Sequence, residues 1–139
     1  MSETNSHPRA SRSGEGLVLG NDAMDQTHRE FLDLHTRLLQ TKGTDFSERF
    51  FALLEHTRQH FSMEEEAMAQ SNFPSIAEHK ADHQRFLGEL DRFSQRIAAG
   101  STVMAKAWLK EQVPDWFELH VLSMDSALAA HLMNQPDLS

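Results

Sequence analysis

Cysteine and tyrosine are both missing from the 139 residues of this chain. Without cysteine there is no disulfide, thiolate–metal site, iron–sulfur cluster or cysteine nucleophile, and a reducing cytoplasm is the simplest location to expect. Without tyrosine, tyrosyl-radical chemistry is excluded. No apolar run approaches the length of about eighteen residues that a membrane span needs. The polar N-terminus also lacks the apolar stretch of a secretory signal. Positive charge is scarce: 13 Lys and Arg stand against 21 Asp and Glu, a net charge of −8. That balance argues against a nucleic-acid backbone or an anionic membrane surface as partner.

What is present is histidine, nine residues in all, in a chain whose 39% hydrophobic content fits one domain with a sizeable core. Residues 1–15 are polar, carry no apolar period and read as a disordered tail that includes His7. Gly16 to Asn21 reads as a short extended lead-in to a domain covering 16–135, with 136–139 as a C-terminal tail. Four amphipathic stretches follow one another through that domain. The first is capped by Asp22 and runs to about Lys42, with Met24, His28, Phe31, Leu32, His35, Leu38 and Leu39 on one stripe. Gly43 ends it. The second runs from near Asp45 to about Gln70, and the third from about Ser75 to Ala98 after a turn at Ser71–Pro74. The last is capped by Ser101 and reaches about Met133, with a kink or break at Pro114. The expected fold is all-α, an up-down-up-down four-helix bundle.

Within these stretches His60 and Glu64, and His79 and His83, stand four residues apart, so each pair shares one helix face at roughly 6 Å. One such pair is weak evidence for a metal site; several in the middle of one chain are harder to dismiss. Candidates must also lie at one level along the bundle, and a helix rises about 1.5 Å per residue. Counted outward from Gly43, His28 and His60 differ in level by about 3 Å, whereas His35 misses by about 13 Å. Counted from the Asn72–Phe73 turn, the His60/Glu64 pair meets His79/His83 within about 3 Å, and a His56/His60 pair misses by about 9 Å. On the last helix His120 is the candidate nitrogen. The five-residue step from His120 to Asp125 turns about 140°, so Asp125 must reach sideways or the helix must deform. Geometry leaves Asp125 and Asp115 both open. Five imidazoles and two carboxylates suit a pair of ions of intermediate hardness, iron among them.

The pieces MDQTH (24–28), HFSMEEEAM (60–68), HKADH (79–83) and WFELHVLSMD (116–125) resemble the hemerythrin family, especially its single-domain bacterial members, in order and spacing over roughly 100 residues. The resemblance implies a bundle holding two bridged iron ions (Fe2+/Fe3+). By motif position, His79, His83 and His120 correspond to the three histidines of a six-coordinate iron. His28 and His60 correspond to those of the other iron, which keeps an open position. Glu64 and Asp125 occupy the places of the two bridging carboxylates, beside an oxo or hydroxo bridge, and this chooses Asp125 over Asp115. The implied activity is reversible binding of dioxygen as peroxide, for storage, delivery or sensing, by a protein that is not an enzyme. Phe31, Leu32, Phe61, Phe117 and Val121 are candidates for an apolar lining. Phe117 stands where the family often has leucine, and the bulkier ring narrows the expected oxygen pocket. The aromatic residue that often opens the family's lead-in is missing from Gly16 to Asn21.

Plainer readings apply to the rest. His35, His56 and His131 read as hydrogen-bonded structural or surface groups. Glu65 and Glu66 read as a solvated helix face, and Trp108 and Trp116 as packing residues. Two other functions use the same centre: a redox enzyme acting on peroxide or nitric oxide, or a regulatory module responding to iron or oxygen through a separate protein partner. The Glu-x-x-His pairs of ferritin-like enzymes do not occur. Zinc is a weaker alternative, since it prefers four ligands and no HExxH motif is present.

Overall fold

A computed structural model describes residues 17–135. The expected tails, 1–15 and 136–139, and His7 with them, lie outside the described residues, as does Gly16. Every regular element among the described residues is helical: α1 (Asp22–Gln40), α2 (Asp45–Gln70), α3 (Ile76–Ala98), α4 (Val103–Glu111), α5 (Val113–His120), a π-helical turn (Val121–Asp125) and α6 (Ser126–Met133). Helix α1 packs on α2, α2 on α3, α3 on α4, and α4 returns to α1, so the chain forms a helical bundle. No helix among the described residues is long and apolar enough to cross a membrane.

The element ends differ from expectation by a residue or two, each for a local reason. Asn21, not Asp22, caps α1; its side-chain oxygen accepts from the Met24 N–H at 3.0 Å, and Asp22 sits in the acidic first turn. The same helix stops at Gln40 rather than Lys42, and Gly43 makes the following turn with φ +72°, a backbone state that suits glycine. Thr102, not Ser101, stands at the N-cap of α4, and it makes no side-chain cap hydrogen bond. Pro114 has no N–H to give to the preceding turn, and the last stretch accordingly divides at Gln112 into α4 and α5, with Pro114 in the opening turn of α5. Leu39, placed on the buried stripe by its period, is 44% exposed.

The apolar residues form two layers. The larger gathers Phe31, Leu38, Phe46, Phe50, Leu53, Leu54, Phe86, Leu90, Trp108, Leu109 and Phe117. The smaller gathers Met24, Met68, Phe73, Leu128 and Ala129 toward the other end. Met24 and Phe31 lie one turn to either side of His28 on α1, so the histidine level falls between the two layers. Asp25 ties down the lead-in. Its buried carboxylate accepts from the N–H groups of Leu19 at 2.8 Å and Gly20 at 3.2 Å, and Leu17 thereby joins the larger layer. Leu90 is 0% exposed in that layer. Leu90→Ala is expected to lower stability by about 2–5 kcal/mol through lost burial and the cavity left behind. Denaturant unfolding should show it as a lower midpoint at unchanged slope. A loss under about 1 kcal/mol would contradict the position of Leu90.

Candidate metal centre

Seven polar side chains meet between the apolar layers. His28 comes from α1, His60 and Glu64 from α2, His79 and His83 from α3, His120 from the end of α5, and Asp125 from the end of the π-helical turn. None is more than 5% exposed. The π-helical turn answers the register problem at Asp125. A regular α-helix would aim residues 120 and 125 about 140° apart. The wider π turn takes in one more residue per turn and brings both side chains to the same face.

The two carboxylates divide their oxygens between two groups of histidines. Asp125 Oδ1 faces His79 Nε2 at 3.0 Å and His120 Nε2 at 3.2 Å, while its Oδ2 faces His28 Nε2 at 2.9 Å. Glu64 Oε1 faces His83 Nε2 at 3.1 Å and His79 Nε2 at 3.3 Å, while its Oε2 faces His60 Nε2 at 2.6 Å and His28 Nε2 at 3.9 Å. Two donor sets result, Glu64–His79–His83–His120–Asp125 and His28–His60–Glu64–Asp125, each with its ligand atoms within 4.8 Å of one another. Both carboxylates belong to both sets, as bridging ligands must. The second set has one donor fewer.

Hydrogen bonding tests whether these residues fit metal ions. Glu64 Oε1, Asp125 Oδ1 and the Nε2 atoms of His79, His83 and His120 are all buried without a hydrogen-bond partner, although they converge on one point. These are the five ligand atoms of the larger set. Buried polar atoms are rarely left so, and a cation at their centre would satisfy all five at once. In the smaller set, His28 and His60 each donate to a carboxylate oxygen, at 2.9 and 2.6 Å. Neutral imidazoles with shared carboxylates are a donor set for first-row transition metals.

Outer contacts orient the rings. His120 Nδ1 donates to Asp82 Oδ2 at 2.7 Å and His83 Nδ1 donates to Glu65 Oε2 at 2.9 Å, which turns both Nε2 lone pairs inward. Glu65 is therefore not part of a solvated face with Glu66; it is half-buried and engaged. Asp82 and Glu65 escaped the sequence reading because the pairings span 38 and 18 residues, with no local spacing to reveal them. Phe61 stacks on His83 at 3.7 Å and Trp116 on His120 at 4.8 Å. The remaining histidines among the described residues serve the backbone: His35 donates to Leu109 O at 2.7 Å, His131 to Ser71 O at 2.9 Å, and His56 to Thr27 O at 3.4 Å.

Without metal, these contacts set the protonation states. Burial pulls His120 toward neutrality, but the carboxylates of Asp125 and Asp82 outweigh it and raise the imidazole to about 10. Burial opposes the charge of His79 likewise, and Asp125 and Glu64 again prevail and raise it. Burial and the Asp125 charge push Glu64 upward, yet His60, His79 and His83 hold it below the ordinary carboxyl range. Asp125 is lowered too, with burial overcome by His120, His28 and His79. The signs follow. The raised histidines support the metal-free fold at pH below the ordinary imidazole value and lose that support as pH climbs through their folded values. The lowered carboxyls support it above the ordinary carboxyl value and lose that support on acidification.

The chain matches the family of the hemerythrin HHE cation binding domain over residues 19–132. It is 30% identical over 124 residues to a bacteriohemerythrin of Ralstonia nicotianae, covering 88% of this chain and 90% of that protein. With a bacteriohemerythrin of Aquifex aeolicus it shares 30% over 122 residues, 82% of this chain and 91% of that protein. A myohemerythrin of Sipunculus nudus is 29% identical over 86 residues, 58% of this chain and 72% of that protein. No solved structure matches significantly. A helical domain with a buried histidine–carboxylate cluster suited to metal ions is the class that fold and site define. The chain belongs to the hemerythrin family.

Metal loading must displace the proton that the carboxylates hold on His120, whose imidazole is raised to about 10. Adding a divalent metal to metal-free protein at neutral pH is therefore expected to release at least about one proton per chain, with affinity falling as pH is lowered. A pH indicator in weakly buffered solution reads the release directly. Binding without proton release would contradict this arrangement.

Proposed function

We propose that this chain holds two iron ions through His28, His60, Glu64, His79, His83, His120 and Asp125, and reversibly binds dioxygen there without transforming another substrate. The observation that carries the reading is the division of each carboxylate's oxygens between two histidine groups of unequal size. Glu64 and Asp125 would bridge the ions, with His79, His83 and His120 completing the fuller set and His28 and His60 the other. Two ferrous ions so held would supply two electrons to dioxygen and take them back on its release. The smaller set has one donor fewer, and an ion held by it would have room for a diatomic ligand beside His28 and His60. The reading carries with it the family's up-and-down arrangement of four helical rods, one ligand group from each, and location in a reducing cytoplasm.

The chain's own residues account for the rest. Asp82 and Glu65 fix the tautomers of His120 and His83, and the two carboxylate ligands offset positive charge in a dry interior. Phe117 meets His28 edge-on at 5.6 Å and stacks on Phe31 at 4.6 Å, while Val121 is 0% exposed. This apolar wall stands beside the smaller set, where it would exclude water and slow the loss of a charged oxygen species. The Phe117 ring fills space there that a leucine would leave open.

The test is spectroscopic. Protein loaded anaerobically with ferrous iron is expected to gain a visible charge-transfer band in air and to lose it under argon, over repeated cycles. A colour that never forms, or that argon does not reverse, would overturn reversible carriage. Catalytic consumption of peroxide or nitric oxide by the same preparation would make the protein an enzyme instead.

A further inference from the structure

Beside the cluster, on the outer side of His120, helices α3, α4 and α5 leave a groove of about 450 Å³. Trp116, Trp108 and Phe86 line it, and Arg85 and Arg92 stand among its lining residues. Trp116 lies parallel to Phe86 at 3.8 Å and 3°, and nearly parallel to the His120 imidazole at 4.8 Å and 15°. Asp82, which accepts from His120 Nδ1, also lines the groove. The groove is therefore separated by one indole ring from a side chain whose Nε2 points into the cluster. With Phe86 and His120 stacked on it, the indole offers the groove its exposed edge.

Gly88 marks this place as more than a surface irregularity. It is the one glycine inside a helix among the described residues, at the middle of α3, where glycine is disfavoured against alanine. Close packing does not require it, since a Cβ built there meets no heavy atom within 4 Å. It lines the groove, and the missing side chain leaves the space open.

We propose that this groove binds a planar aromatic electron donor of the reduced-flavin class, and that Trp116 connects the donor to His120 and so returns oxidised iron to the ferrous state. The inference rests on the di-iron reading above. The volume lies within the range of small-molecule sites, and the exposed edge of the Trp116 indole gives a flat ring an aromatic contact. Arg85 gives one nitrogen to Asp82 at 3.1 Å and Arg92 one to Glu89, which leaves each guanidinium further donors for a phosphate tail. A donor that transfers only hydride is unsuitable, because no side chain lining the groove accepts hydride. The accounting closes with flavin: the reduced anion gives one electron to each of two ferric ions, loses one proton to solvent and departs oxidised.

The test uses flavin mononucleotide and the full chain. Oxidised flavin titrated into the protein, with and without iron, is expected to show saturable quenching of flavin fluorescence. Gly88→Leu fills the groove with a residue that a helix interior prefers, touches no metal ligand, and is expected to weaken binding about tenfold or more. In anaerobic stopped flow, reduced flavin should reduce the ferric protein with saturating kinetics, and Gly88→Leu should slow this about tenfold while leaving reduction by dithionite unchanged. Absent or non-saturating quenching in the unaltered protein overturns the site, as does binding that Gly88→Leu leaves intact. Reduction by flavin that is indifferent to Gly88→Leu overturns the electron route. Flavin binding by a protein that takes up no iron removes the electron-donor role together with the di-iron reading. Normal oxygen cycling without flavin binding removes this inference alone.

Discussion

Two carboxylates and five imidazoles are enclosed together at the middle of a small helical bundle, each at most 5% exposed. Taking carboxylates out of water is expensive unless positive charge and hydrogen bonds replace the lost hydration. Here the carboxylate oxygens face only imidazole nitrogens, and five of the converging atoms have no hydrogen-bond partner. The interior is thus balanced only when cations, whether protons on the histidines or metal ions among them, sit inside it. That demand explains the outer carboxylates Asp82 and Glu65, which steady the rings from behind. It also explains the two apolar layers, which keep water from the same level on either side.

Bringing seven side chains to one level constrains the backbone as well. Pro114 starts a new helical segment after Gln112, and that segment delivers Phe117 and His120 inward. One turn later the helix widens into its π form, so Asp125 arrives beside His120 instead of on the flank. Local departures from regular helix of this kind are frequently found at functional sites. Asp25 makes a comparable contribution at the other terminus, holding the lead-in so that Leu17 covers the core near Phe31.

Much of this arrangement was legible from residue spacing, because helix rise and periodicity are nearly invariant. Counting from the loops puts His28 at the level of His60, and their rings lie 5.3 Å apart, while His35 turns to the Leu109 carbonyl. The same counting favours Glu64 over His56 as the neighbour of His79 and His83, and Glu64 faces both. It failed to decide between Asp125 and Asp115, since a π turn is a tertiary compromise with no signature in the apolar period. Pairings across helices were hidden for a different reason. Glu65 meets His83, and Asp82 meets His120, only after α2, α3 and α5 are packed, and an isolated acid on a helix looks solvated. The groove at Gly88 likewise exists only between packed elements.

The central claim is that the seven residues surround two iron ions that share both carboxylates. Diffraction from crystals of the iron-loaded protein, with anomalous differences collected across the iron edge, tests it most directly. The account predicts two anomalous peaks, one within bonding distance of His79, His83 and His120, the other within bonding distance of His28 and His60, and both in contact with Glu64 and Asp125. A single peak, or iron held anywhere outside that set of side chains, would contradict it.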